Sequence, residues 1–204
     1  PRNGEAKALL GFLNSSVAFY YLSALNPTMN FQKGNVGNLP IIHVSGELKD
    51  RVQSLVETCI KLSKFDWDSF EYSWDFLTHP LVTYRSGADY ADVRVDKWQY
   101  RIADAFHTWE SNAEAQFELL KKSEEELNRI FIDIYGLQEE LMPEVEDKDV
   151  TVRKANLERD VKSFISYAVG CMFGRYSLDV EGLAYAGGEW DANKYISFVA
   201  DKDN

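Results

Sequence analysis

Apolar residues recur at Ala6, Leu9, Leu10, Leu13, Val17, Tyr20 and Tyr21, the i, i+3, i+4, i+7 stripe that predicts one amphipathic helix over residues 5–25. Asn3-Gly4 can cap it, and Asn26 precedes Pro27, which disfavours helical geometry there. Residues 36–44 read as one short strand, interrupted at Pro40 as an edge strand tolerates. Ser45 can cap a second helix, where Leu48, Val52, Leu55, Cys59 and Leu62 form a heptad seam. A much longer helix is predicted over 89–135, with Val95, Trp98, Ile102, Ala105, Trp109, Ala113, Gln116, Leu120, Leu127, Ile130 and Ile134 near one face and Gly136 as its stop. It would span roughly 65–70 Å at 1.5 Å per residue, and a rod of that length needs a partner. The helix that begins at Ser45 is the antiparallel candidate.

Between these two, residues 66–76 read as a short aromatic-rich helix capped by Asp66 and ended by His79-Pro80. Residues 137–150 set six carboxylates against Lys148 and include Pro143, the composition of a linker. A last helix is predicted over 151–176, with Leu157, Val161, Phe164, Ile165, Ala168 and Met172 inward, followed by a tail rich in glycine and aromatics. The expected fold is therefore mainly α: a long antiparallel, coiled-coil-like helical spacer with one short strand near the N-terminus. Its segments are 1–44, 45–136, 137–150 and 151–204. The opening Pro1-Arg2-Asn3 and the abrupt end at Asn204 read as a partial domain of a larger protein.

Composition supports a packed core: 45% of the 204 residues are hydrophobic and 14% aromatic. No apolar run approaches the ~20 residues of a membrane span, and no secretory signal is visible, so a cytoplasmic protein without a membrane partner is expected. Cys59 and Cys171 both fall in apolar helical patterns and read as buried free thiols. The net charge of −11 opposes nucleic-acid binding overall, but it is unevenly spread. Residues 1–44 carry Arg2, Lys7 and Lys33 against Glu5 (three minus one, +2), whereas residues 45–204 hold 19 basic and 32 acidic side chains (−13). The N-terminal fifth is the candidate DNA surface, and the acidic remainder is a solvated scaffold or a protein-facing surface.

Catalytic chemistry is hard to find. His43, His79 and His107 share no metal-ligand spacing with each other or with a cysteine. Asp66, Asp68, Glu71 and Asp75 form the densest carboxylate cluster, with Asp68, Glu71 and Asp75 on one helix face; helix capping and solvation are favoured over a Mg²⁺ site. Pro143-Glu144 with Glu146-Asp147-Lys148 has nuclease-like residue types crammed into six positions, which is linker composition. Asn26-Pro27-Thr28-Met29 lacks the aromatic of an Asn-Pro-Pro-Tyr methyl-transfer motif, and no Gly-rich cofactor loop precedes it. Gly170 and Gly174 stand four apart, suggesting close helix–helix approach. Trp98, Trp109 and Phe117 belong to the long helix's buried seam, and Trp67 and Trp74 should pack on the rod. Asn30, Phe31, Gln32 and Lys33 are left as the DNA-binding candidates: polar and basic company around one aromatic ring, with core anchoring of Phe31 the equal alternative.

Several runs together resemble a known family. They are Leu10-Gly-Phe-Leu-Asn-Ser through Asn26-Pro-Thr to Asn38-Leu-Pro-Ile, then Asp66-Trp-Asp-Ser-Phe-Glu, Trp74-Asp-Phe and His79-Pro-Leu. Glu126-Leu-Asn-Arg-Ile-Phe-Ile-Asp-Ile-Tyr-Gly-Leu and Ser166-Tyr-Ala-Val-Gly-Cys-Met-Phe-Gly-Arg-Tyr-Ser-Leu-Asp complete the set. In this order they resemble the PglX-type adenine-specific DNA methyltransferases of BREX phage-defence systems, in their C-terminal region, which are related to single-chain restriction–modification enzymes. The resemblance implies a parent enzyme that methylates adenine N6 with S-adenosylmethionine in a domain outside this chain. None of the family's catalytic residues maps onto the chain, and it implies no cofactor of its own. What it implies here is the end of a recognition segment plus a helical spacer, reaching DNA through the parent. The alternative is an acidic helical scaffold that docks other defence components without touching DNA.

Overall fold

The computed structural model describes residues 3–26, 28, 30–85 and 101–201. Its helices are α1 (Asn3–Leu13), α2 (Ser16–Leu25), α3 (Lys33–Gly37), α4 (Gly46–Asp68), α5 (Pro80–Thr83), α6 (Ile102–Tyr135) and α7 (Leu157–Met172). Single 3-10 turns occupy Asp147–Asp149 and Ala192–Lys194. The fold is mainly helical, as the periodicity predicts. Two compact units emerge: Pro1–Ser63 with Phe117–Thr151, and Lys64–Gln116 with Val152–Asn204. Both long helices, α4 and α6, are divided between them.

In the first unit, the helix predicted over 5–25 is two helices, bent by 65°. Ser15 breaks it: its backbone is extended (φ −83°, ψ 157°), its Oγ accepts from the Ala18 N–H, and it donates to the Phe12 carbonyl at 2.7 Å. The apolar stripe runs through the break because Phe12 and Val17 face the same core, so periodicity alone could not find it. The predicted strand is absent among the described residues. Residues 33–37 are α3, and the Tyr135 hydroxyl accepts from the Ile42 N–H and donates to the Pro40 carbonyl. One side chain thus satisfies backbone groups that a neighbouring strand would have satisfied.

Phe12 is the hinge of this core, edge-on to Phe131 at 5.7 Å and stacked on Tyr135 at 5.4 Å. Val52 and Val56 of α4 close over it, whereas Leu48 of the predicted seam is exposed. Arg51, near the start of α4, pairs with Glu126 on α6. Asn128 on α6 joins distant segments: its Oδ1 accepts from the Ser16 N–H at 2.9 Å and its Nδ2 donates to the Pro143 carbonyl at 3.1 Å. Gly136 terminates α6 at φ +66°, with the Leu137 N–H on the Ile132 carbonyl and the Gly136 N–H on the Asp133 carbonyl. Those paired bonds need the left-handed backbone that glycine supplies without strain. α6 is 34 residues, about 51 Å. The expected start at 89–100, with Val95 and Trp98, lies outside the described residues.

In the second unit, α4 runs on to Asp68, and residues 69–79 form turns instead of the predicted aromatic helix. Ser73 is responsible: its Oγ donates to Asp68 Oδ1 at 2.6 Å and accepts from the Asp75 N–H, folding the chain back. Consequently Asp68, Glu71 and Asp75 share no helix face, and Trp67 and Trp74 do not pack on a rod. Trp67 is largely exposed and Trp74 wholly so. Helix α7 begins at Leu157, later than predicted, because the Asn156 side chain caps it by accepting from the Arg159 N–H. Gly174, at φ +76°, ends it. The glycine pair 170/174 accommodates rings rather than a second helix: a Cβ on Gly170 would meet Tyr176 at 2.6 Å, and one on Gly174 would meet Trp190 at 2.5 Å.

Two polar anchors hold this unit. Buried Asp160 accepts from Trp109 Nε1 at 3.0 Å, from the Asn156 N–H at 3.0 Å and from Arg159 Nε at 2.6 Å. Arg153 grips Asp66 through Nε and Nη2, at 3.0 and 2.9 Å to Oδ2, while its guanidinium lies 4.1 Å over the Phe70 ring. Cys59 and Cys171 are both free.

Candidate nucleic-acid interface

The candidate residues follow a polar knot tied by Asn26 at the end of α2. Its Oδ1 accepts from the Thr28 N–H at 3.1 Å and from the Thr28 hydroxyl at 2.7 Å. Its Nδ2 donates to the Asn30 carbonyl at 2.9 Å and to Asn35 Oδ1 at 3.3 Å. Asn35 in turn accepts from the Gln32 N–H at 2.8 Å, which fixes the start of α3. These carboxamides satisfy the turn internally. The run of Asn and Gln that looks like surface polarity in sequence is therefore partly structural.

What the knot presents outward is Asn30, Phe31, Gln32 and Lys33, all four exposed. Phe31 is no buried core anchor: it is 38% exposed, and its ring lies edge-on to Phe19, itself 64% exposed, at 6.2 Å. Sequence reading missed Phe19, assigning no face to it, although its place between the buried Val17 and Leu22 could have marked it as outward. Chemically the group offers a ring able to stack on a base, two carboxamides able to donate and accept, and one ammonium for a phosphate.

Elsewhere the acidic cluster is neutralised by local cations. Lys64 bridges Asp68 and Asp75, and Arg153 holds Asp66. The Lys64 pair keeps Asp68 below its ordinary carboxylate range. Among the described residues no three His, Cys, Asp or Glu gather as metal ligands would. His79 is almost fully buried and caps α5 through Nδ1, which accepts from the Leu81 N–H at 3.2 Å. Burial pushes it down to about 4, so it is a neutral structural group. Burial also raises the Cys171 thiol, leaving it protonated and unreactive.

Comparison with known proteins agrees with the motif order. The chain is 50% identical over 195 residues to the adenine-specific methyltransferase PglX of Lacticaseibacillus casei (strain Zhang), a match covering 96% of this chain and 15% of that protein. The chain is PglX-like over nearly its whole length. The PglX-like sequence is also 28% identical over 220 residues to the adenine-specific methyltransferase BrxX of Escherichia coli O9:H4 (strain HS), covering 96% of this chain and 16% of that protein. It thus spans about 15% of the length of the curated relatives it matches. No family model matches the chain. No single helix among the described residues is long and apolar enough to cross a membrane.

Proposed function

We propose that this PglX-like chain is a DNA-recognition and spacer segment of an adenine-N6 DNA methyltransferase in a phage-defence system, non-catalytic by itself. Asn30, Phe31, Gln32 and Lys33 face DNA, and S-adenosylmethionine is bound by the rest of the parent protein. The observation that carries the reading is the exposed Phe31 beside the exposed Asn30, Gln32 and Lys33, within residues 1–44, whose balance is positive, in a sequence half identical to PglX. The test is a low-salt gel shift of the chain on duplex DNA, run beside a labelled-methyl transfer assay. The reading expects a shift that Lys33→Glu removes, and no methyl incorporation by the chain alone. Incorporation, or no shift at any salt concentration, overturns it.

A second reading, an acidic scaffold that docks other defence components, is favoured by the exposed Trp67, Tyr72 and Trp74 of the second unit. It expects no DNA shift, and co-elution with a partner that Trp74→Ser weakens.

A further inference from the structure

Three consecutive glutamates on α6 have different fates. Glu125 accepts from the Val145 N–H at 3.2 Å, and Glu126 pairs with Arg51 and Arg129. The Glu124 side chain makes no hydrogen bond or ion pair among the described residues. It lines a cavity of about 340 Å³ in the first unit, walled by Leu10 of α1, Val56 and Ile60 of α4, and Leu127 of α6. No other charged side chain lines this cavity among the described residues. The thiol of Cys59, raised to about 11 by burial, faces the same space as a neutral group. Gly11 keeps one wall thin: a Cβ there would stand 2.8 Å from Val56 Cγ2. The uncharged polar side chains of Asn14, Ser63 and Thr151 share the lining, but none of them hydrogen-bonds Glu124. A half-buried carboxylate without a cation is costly, and here burial raises its pKa to about 7. The cavity is also of the size that takes small ligands or an inserted side chain.

We propose that this cavity is a binding site for an apolar stem ending in a protonated amine, with Glu124 pairing the ammonium and Leu10, Val56, Ile60 and Leu127 holding the stem. The chemistry is shared by a free aralkyl amine and by a lysine side chain, so the test uses both. The 204-residue chain is titrated at pH 8 with 2-phenylethylamine, with its neutral counterpart 2-phenylethanol, and with N-acetyl-lysine methylamide, following the methyl resonances of Leu10, Val56, Ile60 and Leu127. At least one amine is expected to bind ten or more times tighter than 2-phenylethanol, and Glu124→Gln should abolish that preference. Tighter binding by the lysine probe assigns the site to a protein side chain; tighter binding by phenylethylamine assigns it to a small amine. Glu124→Gln removes an unpaired charge, so the variant should fold at least as well as the parent. Equal binding of amine and alcohol, an undiminished preference in Glu124→Gln, or no binding by either amine at 10 millimolar overturns the proposal.

Discussion

Asn128 sets the sharpest quantitative expectation. Only 7% exposed, it ties the start of α2 to the segment after α6 through two hydrogen bonds, at 2.9 and 3.1 Å. Asn128→Ala strands the Ser16 N–H and the Pro143 carbonyl in surroundings that water reaches only in part. At about 1 kcal/mol net per bond, with a further penalty for unsatisfied groups, the loss should be about 2–3 kcal/mol. A compensating change checks the mechanism. Ser16 is the first residue of α2 and follows an extended Ser15, so proline fits there and removes the stranded donor. Ser16→Pro should therefore cost much less in the Asn128→Ala background than in the parent, a coupling of about 1 kcal/mol. The described tryptophans, Trp67, Trp74, Trp109 and Trp190, all belong to the second unit, so their fluorescence would miss the event. The assay is amide hydrogen exchange in α2, where 2 kcal/mol appears as roughly thirtyfold faster exchange. Unchanged exchange in Asn128→Ala, or strictly additive effects in the double variant, would refute the reasoning.

Other outcomes follow from single contacts. Glu124 has a folded pKa of about 7, above its reference of 4.5, so the folded state binds the extra proton; stability is fully present below about pH 4.5 and falls as pH rises toward 7. With part of that shift discounted for solvent, Glu124→Gln should gain about 1–2 kcal/mol at pH 8 and nothing at pH 4, read by urea denaturation. His79 has the opposite sign: lowered from 6.5 to about 4, it should cost the second unit up to about 3 kcal/mol as pH falls through that window, and tryptophan fluorescence will follow it. Arg153→Lys keeps the charge but loses the planar fork on Asp66 and the cover over Phe70, and should destabilise by about 1–2 kcal/mol in thermal melts. Trp74→Ser, altering a fully exposed ring, should leave the melting temperature unchanged within the ±0.5 kcal/mol of ordinary surface changes.

Where periodicity met a continuous core, the sequence was easy to read. Helix α4 and the body of α6 follow the apolar spacing, because α4 buries Val52 and Val56 and α6 buries a stripe from Ala105 to Ile130; the stop at Gly136 follows from its left-handed backbone. Misreadings cluster where a single side chain redirects the backbone. Ser15, Ser73 and Asn156 each cap or turn the chain by a short-range hydrogen bond that leaves the apolar spacing intact, so one helix became two, a helix became turns, and α7 began later. The supposed strand failed for a related reason: its backbone partners came from Tyr135, some 93 residues away from Ile42. The exposed group from Asn30 to Lys33 was legible from composition, but the internal knot of Asn26 and Asn35 was not. Nor was the isolation of Glu124, since three identical neighbours differ only in what other segments bring to them.

The most direct test of the proposed function changes the outward residues inside the full-length parent and reads which adenines are methylated across a genome. Asn30→Ala and Gln32→Ala should alter or relax the methylated sequence, Phe31→Ala should lower occupancy at every site, and Lys33→Glu should slow methylation with a raised KM for DNA. Methylation of the same sites at the same rates in all four variants would contradict a DNA-facing role for this surface.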